Sequence, residues 1–296
     1  MKHNLKITFF LLLLFVVTQF IGIYVVKHYL DRNNELPYGM TPPEVEKETD
    51  FYTSFLPSII IAFIIAITLL FLLTKFNAEK ILKIWFFVVV TIALGICFNS
   101  IAPDFKNKAL IVLVIALPLA FIKIFKRNFL IHNITELFVY PGIAAVFVPL
   151  LNMWTIIILL ILISAYDIWA VWHSGIMQKM AKYQINKLKV FSGFFVPYAS
   201  KKVRAQIQKM KKSDLKKKKI KINLAILGGG DIIFPIITAG VMLKSFGIGH
   251  ALMVIAGATL GLGYLFFYAE KKKFYPAMPF ITAGIFAAMI LSYLVF

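Results

Sequence analysis

Two aspartates, Asp167 and Asp231, lie inside apolar runs where almost nothing else is charged. Asp167 follows Tyr166; Asp231 follows Gly228-Gly229-Gly230 and precedes Ile232-Ile233-Phe234-Pro235. A charge in hydrocarbon costs about 2.5–3.5 kcal/mol or more, and glycine and proline weaken a helix interior, so such a stretch needs compensation. Two carboxylates in one low-dielectric site cannot both ionise cheaply. They share a proton, leaving one acid and one base. That pair can activate a water for attack on a peptide carbonyl while the protonated partner polarises the carbonyl oxygen. The chemistry requires no metal, no cofactor and no covalent intermediate.

Apolar segments must hold these groups. The chain has 296 residues, 60% hydrophobic and 15% charged, with a mean hydropathy of +0.85. Soluble domains are far less apolar and more charged, so the composition indicates a multi-pass membrane protein. Nine apolar runs are long enough to cross a bilayer: about 7–26, 56–73, 84–101, 109–124, 134–151, 153–173, 222–243, 246–268 and 276–296. The first exceeds the apolar core of a secretory leader and lacks a small-x-small cleavage pattern, which makes it a span. Pro118 is expected to kink the fourth. The expected fold is all-α with nine transmembrane helices, in three parts: 1–176 with six helices, a basic loop over 177–221, and 222–296 with three helices.

The net charge of +19 would suggest nucleic acid in a soluble chain. Here 26 of the 32 Lys and Arg fall on one side of the alternating spans, so the lysines mark cytoplasmic loops and no nucleic-acid partner is expected. That places the N-terminus inside and the C-terminus outside. Lys216–Lys219 admit two readings, contact with anionic headgroups or a solvated loop that enforces topology. The single cysteine, Cys97, excludes a disulfide framework.

The sixth and seventh spans are consecutive and so antiparallel. Counting from their inner ends at 1.5 Å per residue puts Asp167 and Asp231 about 10 and 14 Å deep, where they can face each other. The competing structural reading is a buried aspartate that caps a helix or pairs with a lysine. No Lys or Arg is expected at comparable depth, and Glu136 is close enough to its span end to reach the interface. Gly228, Gly229 and Gly230 could serve close helix packing, or could let a substrate backbone approach. Pro276-Ala277-Met278-Pro279 could mark a helix start, or hold an extended edge that pairs with a substrate strand.

Tyr166-Asp167, Gly228-Gly229-Gly230-Asp231 and Pro276-Ala277-Met278, in this order over nine spans, resemble the presenilin and signal peptide peptidase family of intramembrane aspartyl proteases. The family pattern has leucine where Met278 stands, a swap that keeps volume and apolarity. The resemblance covers nearly the whole chain. It implies Asp167 and Asp231 as the catalytic pair, with Tyr166, the three glycines and the Pro-Ala-Met-Pro stretch supporting site and substrate. It also implies transmembrane-helix substrates cleaved within the lipid bilayer. The inferred orientation is presenilin-like, so substrate N-termini would lie outside. The compact chain is similar to archaeal members, which implies a prokaryotic plasma membrane.

Rival hydrolases fit less well: there is no His-Glu-x-x-His zinc motif and no Gly-x-Ser-Gly. Prepilin peptidases share Gly-x-Gly-Asp, but would leave the Pro-Ala-Met element unexplained. The non-enzyme alternative is a proton- or cation-coupled transporter, which also uses deep aspartates beside broken helices. Such transporters show paired broken segments, and the first half of this chain has no second glycine-rich Asp segment.

Overall fold

A computed structural model describes residues 5–33, 35–40, 57, 61, 65, 68, 79–126, 128–174, 190–198, 223–270 and 275–296. Its helices are α1 (Leu5–Leu30), α2 (Glu79–Ile101), α3 (Lys108–Phe125), α4 (Phe129–Phe147), α5 (Met153–Ile168), α6 (Gly229–Phe246), α7 (Ile248–Tyr268) and α8 (Met278–Val295). A 3-10 turn, Val148–Leu150, extends α4, and a π-helical turn, Trp169–His173, extends α5. Among the described residues, these eight helices are long and apolar enough to cross a membrane. The second expected span falls almost wholly outside the described residues, as do Lys216–Lys219. Pro57, Ile61, Ile65 and Thr68, the described positions of that span, are helical and exposed.

Two expectations need correction. The fold is not purely helical: β1 (Gly193–Tyr198) and β2 (Asn223–Gly228) form a two-stranded antiparallel sheet. In consequence the seventh span begins at Gly229, not at 222. Leu224–Leu227 is a short apolar run ending in glycine, and hydropathy alone cannot separate such a strand from the first turn of a buried helix. Burial alternates along it, with Ala225 and Leu227 buried and Leu224 and Ile226 exposed, as a strand requires.

Local chemistry sets three of the helix starts. Asn128 caps α4 by accepting from the Leu130 and Ile131 amides, and Asn152 with Thr155 forms a reciprocal box at the start of α5. Pro279 sits in the first turn of α8, where a missing amide hydrogen costs nothing. Pro118 lies within α3 without ending it. Outside the helices, Asp104 bridges Arg32 and Lys108, and the hydrogen bond from Arg32, seconded by Lys108, pulls its carboxyl down to about 2.

α6 is the centre of the bundle. It touches α1, α4, α5, α7, α8 and both strands. Eleven of its residues are buried, from Gly229 to Met242, the all-round burial expected of a helix with partners on every side. α2, α3 and α4 pack together on one flank, α7 and α8 on the other, with α1 against α4 and α6. Two close approaches depend on glycine. A Cβ at Gly142 would overlap the Ala93 carbonyl of α2, and one at Gly257 would overlap the Gly284 carbonyl of α8. Small residues replace hydrophobic drive as the means of joining helices in lipid.

Candidate active site

Asp231 is the third residue of α6, in its first turn. Counting from the expected span start at 222 puts it nine residues into a helix; Asn223–Gly228 are instead extended strand, which rises about 3.3 Å per residue rather than 1.5. Gly228 is the residue just before the helix, with extended backbone, and its backbone hydrogen-bonds the Asp231 carboxylate. This is half of a capping box: an acid at the third helical position reaching back to the capping residue.

Asp167 is the penultimate residue of α5, two residues before the π-helical turn begins at Trp169. Such turns mark places where a helix has been locally re-aimed. Oδ2 of Asp167 accepts the Met278 amide at 3.0 Å, and the Ala277 backbone hydrogen-bonds the same carboxylate. Met278 opens α8, so its amide has no partner within its own helix. Asp167 therefore caps a neighbouring helix. One turn earlier on α5, Ser164 donates to Thr282 of α8 at 2.9 Å, fixing the same two helices.

The capping alternative raised by the sequence thus describes a contact that both aspartates make. It is compatible with chemistry, because caps hold each carboxylate in one orientation. Both are buried, Asp167 at 5% exposure and Asp231 at 8%. α5 packs on α6, and each carboxylate lies within electrostatic range of the other.

The remaining sequence candidates divide. Gly228 is in van der Waals range of Asp231: a Cβ there would lie 3.2 Å from Oδ2. Gly229 packs under Tyr140 and Ser192, where a Cβ would come within 2.7 Å of both hydroxyl oxygens. Gly230 is exposed, with nothing nearer than 3.8 Å to a Cβ. So Gly229 serves packing, while Gly230 leaves backbone open. Pro276, Ala277, Met278 and Pro279 form the entry to α8, not a strand, and reach Asp167 through Ala277 and Met278. Tyr166 is the exception. It is 55% exposed, its ring 6.2 Å from that of Trp169.

Sequence reasoning missed several residues around this centre. Gln19 of α1, fully buried, donates to the Ile232 carbonyl at 3.0 Å, beside Asp231. A buried glutamine in a first span was the available signal. Glu136 does not reach the interface as expected: it is 1% exposed and paired with Lys123, itself 8% exposed. A buried lysine is therefore present, though its partner is Glu136 and not an aspartate of the pair. Lys123 and Glu136 lie on packed helices and offset each other's charge, which removes the need for either to snorkel.

A family model described as signal-peptide peptidase, presenilin aspartyl protease matches residues 13–296. No curated protein matches. Two solved structures, both described as a presenilin family intramembrane aspartate protease, are similar in fold. One, in space group C222, has a TM-score of 0.62 at 15% identity, covering 98% of this chain and 99% of that one. The other, in space group P2, has a TM-score of 0.63 at 16% identity, covering 97% of each. A family match over nearly all of the chain, on a bundle that sets one buried aspartate at the end of α5 and another at the start of α6, means that the chain belongs to the signal-peptide peptidase and presenilin family of aspartyl proteases.

Proposed function

We propose that this protein hydrolyses peptide bonds of single-span membrane proteins within the bilayer, with Asp167 and Asp231 as the catalytic pair. The observation that carries the proposal is the placement of two buried carboxylates on packed helices, each oriented by backbone donors, with Asp167 within electrostatic range of Asp231. One aspartate holds the shared proton and donates a hydrogen bond to the scissile carbonyl. The other takes a proton from water as the water oxygen attacks the carbonyl carbon. The tetrahedral intermediate collapses as the nitrogen gains a proton, giving a carboxyl and an amine end. The transporter alternative finds no support in family or fold.

A helical substrate hides its backbone groups in its own hydrogen bonds, so it must open locally before cleavage. The hairpin offers such a segment a partner. Among the described residues β2 has a strand partner on one side only, and it ends at Gly228, three residues before Asp231. A substrate strand added to the free edge would lay its backbone beside the exposed Gly230. Pro276–Pro279 support the site by holding Asp167, not by offering an edge. The charge bias supports an inside N-terminus and an outside C-terminus with nine spans, so substrates would present their N-termini outside, at a prokaryotic plasma membrane.

The test uses the purified full chain in detergent with a designed reporter, an apolar 20-residue span between two soluble tags. Asp167→Asn and Asp231→Asn are each expected to abolish cleavage while the protein stays monodisperse. Cleavage that survives either substitution would remove that residue from the pair.

A further inference from the structure

One face of α4 carries His132, Asn133 and Glu136 in its first two turns, all buried. All three bind the backbone of β1. His132 Nε2 donates to the Gly193 carbonyl at 2.9 Å, and the Gly193 amide donates to Glu136 Oε1 at 3.3 Å. Asn133 takes both groups of Phe195: its Nδ2 donates to the carbonyl at 2.9 Å and its Oδ1 accepts the amide at 3.1 Å. Lys123 of α3 pairs with the same Glu136 oxygen that serves Gly193.

These bonds occupy one edge of β1. Successive strand residues direct their backbone groups to opposite edges, so Gly193, Phe195 and Pro197 face away from β2. The first two are taken by α4 and the third has no amide hydrogen to offer. Side chains of a helix stand where another strand would be.

The clamp lies one rung from the candidate catalytic centre. Gly193 is paired in register with Gly228, and the Gly228 backbone hydrogen-bonds Asp231. Gly193 has φ of +134°, and a Cβ there would meet Gly228 Cα at 3.2 Å, so the rung closes only around glycine. A shift of β1 along α4 moves Gly228, and the carboxylate moves with it.

We propose that His132, Asn133 and Glu136, with Lys123 securing Glu136, are positioning residues that hold the hairpin at one height and thereby set where Asp231 meets the substrate. The consequence for catalysis rests on the protease reading above; the consequence for the hairpin does not. Loss of the clamp leaves the substrate surface in place but misaligns the attacking group. It therefore lowers kcat more than it raises KM, and it loosens the choice of bond.

The experiment compares the full-length protein with His132→Ala, His132→Gln, Asn133→Ala and Asn133→Asp, using the same single-span reporter. Product masses report the bond cleaved, and amide hydrogen exchange is followed over residues 193–198 and 223–231. His132→Ala and Asn133→Ala are expected to lower kcat about ten- to a hundredfold, with KM nearly unchanged and products spread to adjacent bonds. His132→Gln, whose amide nitrogen can take the place of Nε2, is expected to restore most of that kcat. Exchange in both strands should rise in the alanine variants while the helices away from α4 and α6 stay protected. Wild-type kcat and a single product bond in either alanine variant overturn the proposal, as does a glutamine variant no better than alanine. Where an alanine variant is not monodisperse, Asn133→Asp keeps the acceptor for Phe195 and loses the donor; unchanged kcat and product there overturn the proposal equally. If the wild-type chain cuts no reporter but the exchange pattern changes as described, the clamp stands and the protease reading falls.

Discussion

The three glycines before Asp231 have the same side chain and different surroundings, so a methyl group at each should have a different result. At Gly229 the methyl collides with Tyr140 and Ser192, two groups held against each other at 3.4 Å. Gly229→Ala should cost about 1–3 kcal/mol in an unfolding measurement in detergent, as overpacking does. At Gly228 the contact is 3.2 Å to the Asp231 carboxylate itself, so Gly228→Ala should spare stability more than turnover. Gly230→Ala meets only the Phe234 ring, at an ordinary contact distance of 3.8 Å, and better helix propensity should stabilise the protein by about 0.5–1 kcal/mol. A fall in reporter cleavage by that stabilised variant would identify Gly230 as the point of substrate approach; unchanged cleavage would show that substrate passes elsewhere. The burial of Asp167 and Asp231 was legible in the sequence because both lie far from the ends of their apolar runs. The separate roles of Gly228, Gly229 and Gly230 were not, because they depend on Tyr140 and Ser192, which are distant in the chain.

Among the elements, the helices could be read from hydropathy because lipid demands long apolar runs with internally paired backbones. The hairpin could not. Gly193–Tyr198 sits beside a basic stretch, and Leu224–Leu227 merges into the apolar run that follows. Glu136 was misjudged for a related reason: depth in one helix says nothing of a cation on the next. The Lys123–Glu136 pair gives an element-scale prediction. Glu136→Ala leaves a buried ammonium without a counter-charge and should cost about 3–5 kcal/mol, whereas Lys123→Met with Glu136→Leu should recover most of that loss. Unfolding midpoints of the two variants in the same detergent decide the point. A double variant as unstable as the single one would mean that the pair is not what joins α3 to α4. The double variant also lacks the acceptor for Gly193, so regained stability with impaired turnover is the expected combination.

For the molecule as a whole, orientation is the property that side-chain contacts do not fix and charge distribution does. Lys106 lies between α2 and α3, Lys126 follows α3, and Glu270 follows α7; all three are exposed. The single native cysteine, Cys97, is fully buried, so introduced thiols should react over a low background. With the N-terminus inside, Lys106→Cys should label with a membrane-impermeant maleimide in intact cells. Lys126→Cys and Glu270→Cys should label only after permeabilisation. The opposite pattern would invert the topology and the required orientation of substrates.

The strand-to-helix joint at Gly228–Gly229 has one more effect, on hydration. A helix that begins within the bundle brings up to four amide hydrogens without partners in its own coil, and hydrocarbon cannot satisfy them. Asp231 meets the Gly228 end of that set. Water can meet that demand and lipid cannot, so on the proposed reading a helix start at this depth favours the reagent that hydrolysis consumes.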